Sequence, residues 1–203
     1  METMQKPELT FQLPLKSTIS LTLASLAGLV ASLGLLKTEI EHLNNPTGSL
    51  NCDLSLLVGC SSSISSPEAH LLLGLPNTAL GIGFFSILLF VAVASILGTK
   101  LPRPLWNLLA VATAGSLGVI VFFLYASIFK FQALCPYCLV IWSATFIATG
   151  ILLPFATAIC GRETIRRIGQ PLHANAWAVV VGLFLITAIT VLLGMSEKIG
   201  MML

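Results

Sequence analysis

Long apolar stretches alternate with short charged ones along this chain. Five tracts contain no Asp, Glu, Lys or Arg: residues 17–36, 71–99, 104–129, 131–161 and 168–196. Each reaches the roughly 20 residues needed to cross about 30 Å of hydrocarbon at 1.5 Å per residue. The pattern predicts five transmembrane helices, at about residues 17–37, 76–98, 104–129, 134–160 and 174–196, with a loop at about 38–75. No repeat or soluble appendage is left over, so residues 1–203 are expected to form a single all-α integral membrane domain. The first tract follows Lys6 and Lys16 as a signal peptide would, but it ends in LLKTEIEHL without a small-x-small cleavage pattern and is expected to be retained.

Composition agrees with that pattern. The chain is 56% hydrophobic and 9% charged, with a mean hydropathy of +0.98, which excludes an ordinary soluble domain. A net charge of +2 suggests no nucleic acid partner. If the helices alternate, Lys6, Lys16, Lys100, Arg103, Arg162, Arg166 and Arg167 fall on one side of the membrane and Lys37, Lys130 and Lys198 on the other. This asymmetry predicts a cytoplasmic N-terminus in an inner or plasma membrane. The long loop, with Glu39, Glu41, Asp53 and Glu68, then faces the exoplasmic, oxidising side.

Four of the five cysteines fall on that face. Cys52 and Cys60 lie in the long loop, and Cys135 and Cys138 open the fourth span in the run ALCPYCLVIW. Cys160 ends the same span a bilayer away and reads as an apolar filler. Proline suits a first helical turn, which makes Cys135 the expected N-cap. Unpaired N–H groups and the helix dipole there favour a thiolate, and Cys138 falls within bonding reach on the same face. The pair reads as a reversible dithiol. Three plainer readings stand beside it: a zinc site, static disulfides, or scattered core residues. Zinc is disfavoured by the seven residues between the cysteines of CDLSLLVGC, and static bridges by the small loop that CPYC closes.

An oxidised dithiol has passed two electrons to something. The chain carries no haem, dinucleotide or iron–sulfur pattern, which leaves a lipid-soluble acceptor, a quinone, as the expected oxidant. Polar groups near such a pocket are sought in SSPEAHLLLGLPNTALGIGFF. Asn77 opens a helix after Pro76 and serves either as a ligand contact or as an interhelical bond. Gly81 and Gly83 read as close helix packing, and Phe84, Phe85, Phe122 and Phe123 as lipid-facing rings as readily as pocket walls. His42 and His70 read as surface residues, and His173 near the start of the last tract carries no interpretable motif.

Taken together, Cys52, Asp53 and Cys60, the serines from Ser61 to Ser66, Asn77, and CPYC at the fourth span resemble the vitamin K epoxide reductase family and its bacterial homologues. The resemblance covers about residues 17–159. It implies a four-helix bundle around a quinone pocket, capped by the first exoplasmic loop, with the fifth helix peripheral. It implies further that Cys138 faces and reduces the quinone, that Cys135 is its partner, and that Cys60 reaches Cys135 from the loop. Cys52 would exchange with a thioredoxin-fold protein, and Ser66 and Asn77 match positions near the quinone, Asn77 as a donor to a carbonyl.

Two features depart from the family pattern. Trp142 stands where the animal enzymes have a tyrosine; its N–H can donate but not accept, which sets epoxide reduction in question. The sequence ends at Leu203 without a fused thioredoxin-like domain, so the thiol partner is expected to be separate. The expected activity is a disulfide-generating thiol:quinone oxidoreductase that uses a menaquinone, ubiquinone or vitamin K type quinone and holds no metal. The alternatives are a quinone-epoxide reductase and a non-catalytic scaffold with structural or metal-binding cysteines.

Overall fold

A computed structural model describes residues 10–45, 52–53, 58–64, 66 and 76–196. Lys6, Ser65, Glu68, His70 and Lys198 lie outside the described residues. The chain is an all-α integral membrane protein, with five helices long and apolar enough to span a bilayer.

A short strand, β1 (Thr10–Phe11), precedes helix α1 (Leu15–Asn44). α1 runs well past Lys37, where the apolar tract stops. The extra turns hold because Lys37 and Glu41 pair at 3.7 Å one turn apart, while Thr38 and Glu39 turn inward and are buried. Within the apolar part, the hydroxyls of Thr22, Ser25 and Ser32 donate to carbonyls four residues back, at 2.9, 2.7 and 2.8 Å. Polar side chains are thereby satisfied without water.

The four-residue helix α2 (Ser61–Ile64) sits in the loop, and α3 (Asn77–Ile96) returns through the membrane against α1. The two helices approach closely at two glycines. A Cβ on Gly28 would lie 2.5 Å from the Phe85 ring, and one on Gly81 would lie 2.8 Å from Ser32 Oγ. Phe85 is therefore a core residue and not lipid-facing, whereas Phe122 is exposed. Gly83 meets nothing within 4 Å and takes no part in this packing.

Strand β2 (Leu101–Pro102) pairs antiparallel with β1 and leads into α4 (Arg103–Ala126). Trp106 locks this end of the bundle: its indole N–H donates to the Phe11 carbonyl at 3.2 Å and its ring meets Phe155 edge-on. At the far end α4 widens into a π-helical turn (Ser127–Phe131), and Gln132, at φ 52°, reverses the chain toward Cys135.

α5 (Pro136–Ala158) is the central helix and packs against α1 and α4. Its buried face joins Phe85, Leu88, Trp106 and Leu152 in one core. The charge-free tract from residue 168 does not form a single element. Its beginning belongs to α6 (Glu163–Ala174), an amphipathic helix that continues Arg162, and only the remainder forms α7 (Ala176–Gly194). α7 lies on the outer side of α5, where Gly150 admits Val180. Its residues are mostly exposed to the surroundings, as befits a helix in contact with lipid.

Candidate redox site

The site forms where the loop meets the start of α5. Pro136 occupies the first helical position, so Cys135 is the N-cap in extended conformation, at φ −79° and ψ 125°. Its carbonyl accepts from the Leu139 N–H at 3.1 Å, the first bond of the helix. Cys138 follows one turn on and its thiol is hydrogen-bonded to that of Cys135.

The loop docks onto this turn through its backbone. Val58 bridges Leu134 in parallel, and the Gly59 N–H donates to the Leu134 carbonyl at 3.1 Å. The next residue, Cys60, is thereby carried to the residue after Leu134, which is Cys135. Their sulfurs lie 3.5 Å apart, close to contact. Cys60 is at the same time joined to Cys52 in a disulfide, while Cys135 and Cys138 are free thiols.

Asp53 holds the loop in this shape. Its Oδ1 accepts the Cys60 N–H at 2.7 Å and the Ser61 N–H at 3.2 Å, and its Oδ2 accepts the Ser61 hydroxyl. It acts as the cap of α2 from eight residues away. Gly59 makes room for it, since a Cβ there would stand 2.7 Å from Oδ1. Partial burial raises the Asp53 pKa, but the bonds from Ser61 and Cys60 outweigh it and hold the carboxyl below its ordinary value.

The thiol cluster is dry on the loop side. Cys60, Cys52 and Cys135 are buried together with Ile64, and Leu35, Tyr137 and Cys138 pack against them. The Tyr137 ring lies on Gly34 of α1, where a Cβ would come within 2.7 Å, so α1 and α5 fix the turn from both sides. The Cys135 pKa is lowered, first by the hydrogen bond from the Cys138 thiol and further by the N–H groups of Cys138 and Tyr137; burial and the Asp53 charge oppose this.

Cys138 also packs against an apolar cluster on the other side, built from Ile120, Leu124, Trp142 and Phe146. Trp142, one turn after Cys138, is buried there. Met195, which caps the end of α7, belongs to the same cluster, so the last spanning helix contributes to this wall. Asn77 and Ser66 are half-buried, at the start of α3 and just after α2. Cys160 follows the end of α5, about 35 Å from Cys135 by the rise of 23 helical residues, and takes no part.

Two features of this site carried no signal in the sequence. One is the backbone pairing of Val58 and Gly59 with Leu134. The other is Glu39, buried at the end of α1, whose Oε2 accepts the Thr78 hydroxyl at 3.0 Å and ties α1 to the first turn of α3 beside Asn77.

The family model described as the vitamin K epoxide reductase family matches residues 19–153. The match takes in most of α1, all of α2 to α4 and most of α5, and with them the four clustered cysteines. It stops before α6 and α7. No curated relative matches the chain.

Proposed function

The chain belongs to the vitamin K epoxide reductase family, whose members are quinone-linked disulfide oxidoreductases, and from that premise we propose that it generates disulfides at the expense of a membrane quinone. The observation that carries this reading is the 3.5 Å approach of Cys60 to Cys135 while Cys60 is still bonded to Cys52. Two cysteine pairs in contact form a relay, because one thiolate can attack the other pair without any rearrangement of the helices.

Electrons enter at the loop. A dithiol of a thioredoxin-fold protein attacks Cys52, breaks the Cys52–Cys60 bond and leaves Cys60 as a thiolate; the partner's second thiol then closes the partner's own disulfide and frees Cys52. Cys60 attacks Cys135 of an oxidised Cys135–Cys138 pair, and Cys138 leaves as a thiolate. Cys52 then attacks Cys60, which restores the loop disulfide and releases Cys135 as a thiolate. Two electrons have moved from the partner to the CPYC pair.

A half-buried thiol beside the apolar and aromatic wall of Trp142, Phe146 and Leu124 suits a hydrophobic ring, so these residues fit a quinone. Quinone, when bound, accepts two electrons and two protons as the Cys135–Cys138 disulfide forms again. Cys138 is the thiol that faces it, Cys135 closes the disulfide, Trp142 forms a wall, and Asn77 and Ser66 supply polar contacts. The hydrogen bonds that favour the Cys135 thiolate suit it to attack and to leave in this exchange. The cation asymmetry supports a cytoplasmic N-terminus with the thiols on the exoplasmic side.

The test is anaerobic. Reduced protein in detergent is mixed with a short-chain ubiquinone or menaquinone, and quinone absorbance is followed together with free thiols. Quinol formation matched by the loss of two thiols, and absent in Cys138→Ser, supports the proposal; no transfer to either quinone refutes it.

A further inference from the structure

At the end of the bundle opposite the thiols, α6 joins two spanning helices and presents three different sides. Gly169 is buried against the end of α5, where a Cβ would meet the Ala158 nitrogen at 2.5 Å. His173, four residues on, lies against Phe155, with ring centroids 5.6 Å apart and the planes tilted by 57°. Ile168 and Leu172 form a second stripe that is apolar yet 61% and 41% exposed. Arg166 and Gln170 lie about 200° from Ile168 at 3.6 residues per turn, on the side facing away from that stripe.

A helix with one side on protein, one exposed side apolar and the opposite side cationic lies in the plane of a membrane interface. Trp177 marks the same level: it is 57% exposed in the first turn of α7, where an indole prefers the headgroup zone.

Cations gather on this plane. Arg166 and Arg167 both pair with Glu163, Arg167 at 3.1 Å through Nε, which holds both guanidinium groups on one side of α6. Arg162 is exposed beside them. Arg103 joins from the start of α4, with its guanidinium packed on Gly161, 2.8 Å from where a Cβ would stand. Arg166 and Arg167 thus share one carboxylate, and Arg162 and the Arg103 guanidinium beside Gly161 stand at the same end of the bundle as the exposed Ile168 and Leu172. Guanidinium groups bind phosphate oxygens in pairs, and the apolar stripe below suits acyl chains.

We propose that α6, with Arg103 and Arg162, is a binding site for an anionic phospholipid of the surrounding bilayer. The headgroup phosphate is held by Arg103, Arg162 and Arg166, and the acyl chains run down past Ile168 and Leu172. α6 and Arg162 lie beyond the family match, Arg103 lies within it, and the site does not depend on the redox proposal.

The protein is extracted, stripped with excess detergent, and returned to nanodiscs of phosphatidylcholine with or without phosphatidylglycerol. Bound lipid is identified by native mass spectrometry and thermal unfolding is followed. Phosphatidylglycerol is expected to be retained and to raise the unfolding midpoint by several degrees, on the order of the shift that binding at 100 times Kd gives. The exposed pair Arg162→Gln and Arg166→Gln should lose most of that shift, and the triple variant with Arg103→Gln all of it. In the wild type, 1 M salt should weaken it as well. The proposal is overturned if phosphatidylcholine stabilises equally, or if the exposed-pair variant keeps the full shift. It is overturned too if millimolar inorganic phosphate gives the same arginine-dependent shift, since the site would then serve a soluble anion.

Discussion

Cys60 Sγ lies 3.5 Å from Cys135 Sγ, and the two cysteines are held there by backbone pairing of the residues just before each of them. The loop is thus registered on α5 by Val58, Gly59 and Leu134, and its shape is set by the Asp53 carboxylate. The proposed exchange between the two cysteine pairs therefore involves groups that are not themselves thiols.

Asp53→Ala should slow exchange between the loop and the CPYC pair. Losing a helix cap costs about 1 kcal/mol, which corresponds to roughly a fivefold change. Quenched thiol mapping after reduction of the loop measures the rate. An unchanged rate would show that Asp53 does not shape the docking.

The Cys135 thiol sits below its ordinary value of 9.0, so its thiolate is already present at pH values where an ordinary thiol is protonated. Alkylation of Cys135 in reduced protein should rise with pH and level off below that value. Asp53→Asn removes a charge that raises the Cys135 pKa, so this plateau should begin at still lower pH. Asp53 itself is depressed below 3.8, so its contribution to loop stability is complete above 3.8 and is lost as pH falls through its lower folded value. Iodoacetamide rates from pH 5 to 10, with urea stability of the loop below pH 4, check both signs.

Thr78→Val keeps the shape of the side chain and removes the donor to Glu39. The loss of a buried bond to a carboxylate should destabilise the bundle by about 1–3 kcal/mol, read as a lower thermal midpoint. Thr78→Ser, which keeps the hydroxyl, should recover most of it.

Cys160→Ser should leave quinone reduction and thiol exchange within twofold of the wild type, because the residue is a bilayer away from the other four. A severe loss in the steady-state assay would place Cys160 on the electron path and contradict the relay.

Much of this molecule is legible in its sequence because the bilayer permits few solutions. A run without charges, long enough to cross hydrocarbon, has to be a helix, and Pro136 after Cys135 fixes where α5 begins. What sequence patterning misses is set by contacts. The pattern starts the last span at about residue 174 but gives no sign of the separate helix α6 before it, which Gly169 docks on α5. α1 continues to Asn44 through the local Lys37–Glu41 pair and through a partner of Glu39 on α3, and no local pattern reveals the second. Phe85 resembles its lipid-facing neighbours in sequence, and only the missing side chain of Gly28 makes room for it in the core. The loop register rests on main-chain bonds, which any residues but proline could make.

The relay is tested most directly by trapping its central bond. In the double variant Cys52→Ser, Cys138→Ser, only Cys60 and Cys135 remain on this face, with no resolving thiol. Mild oxidation followed by peptide mapping should find a Cys60–Cys135 disulfide in most molecules, and far less of it when Asp53→Ala is added. If Cys60 and Cys135 stay as thiols under conditions that oxidise the Cys52–Cys60 pair in the wild type, the two pairs do not exchange and the relay is wrong.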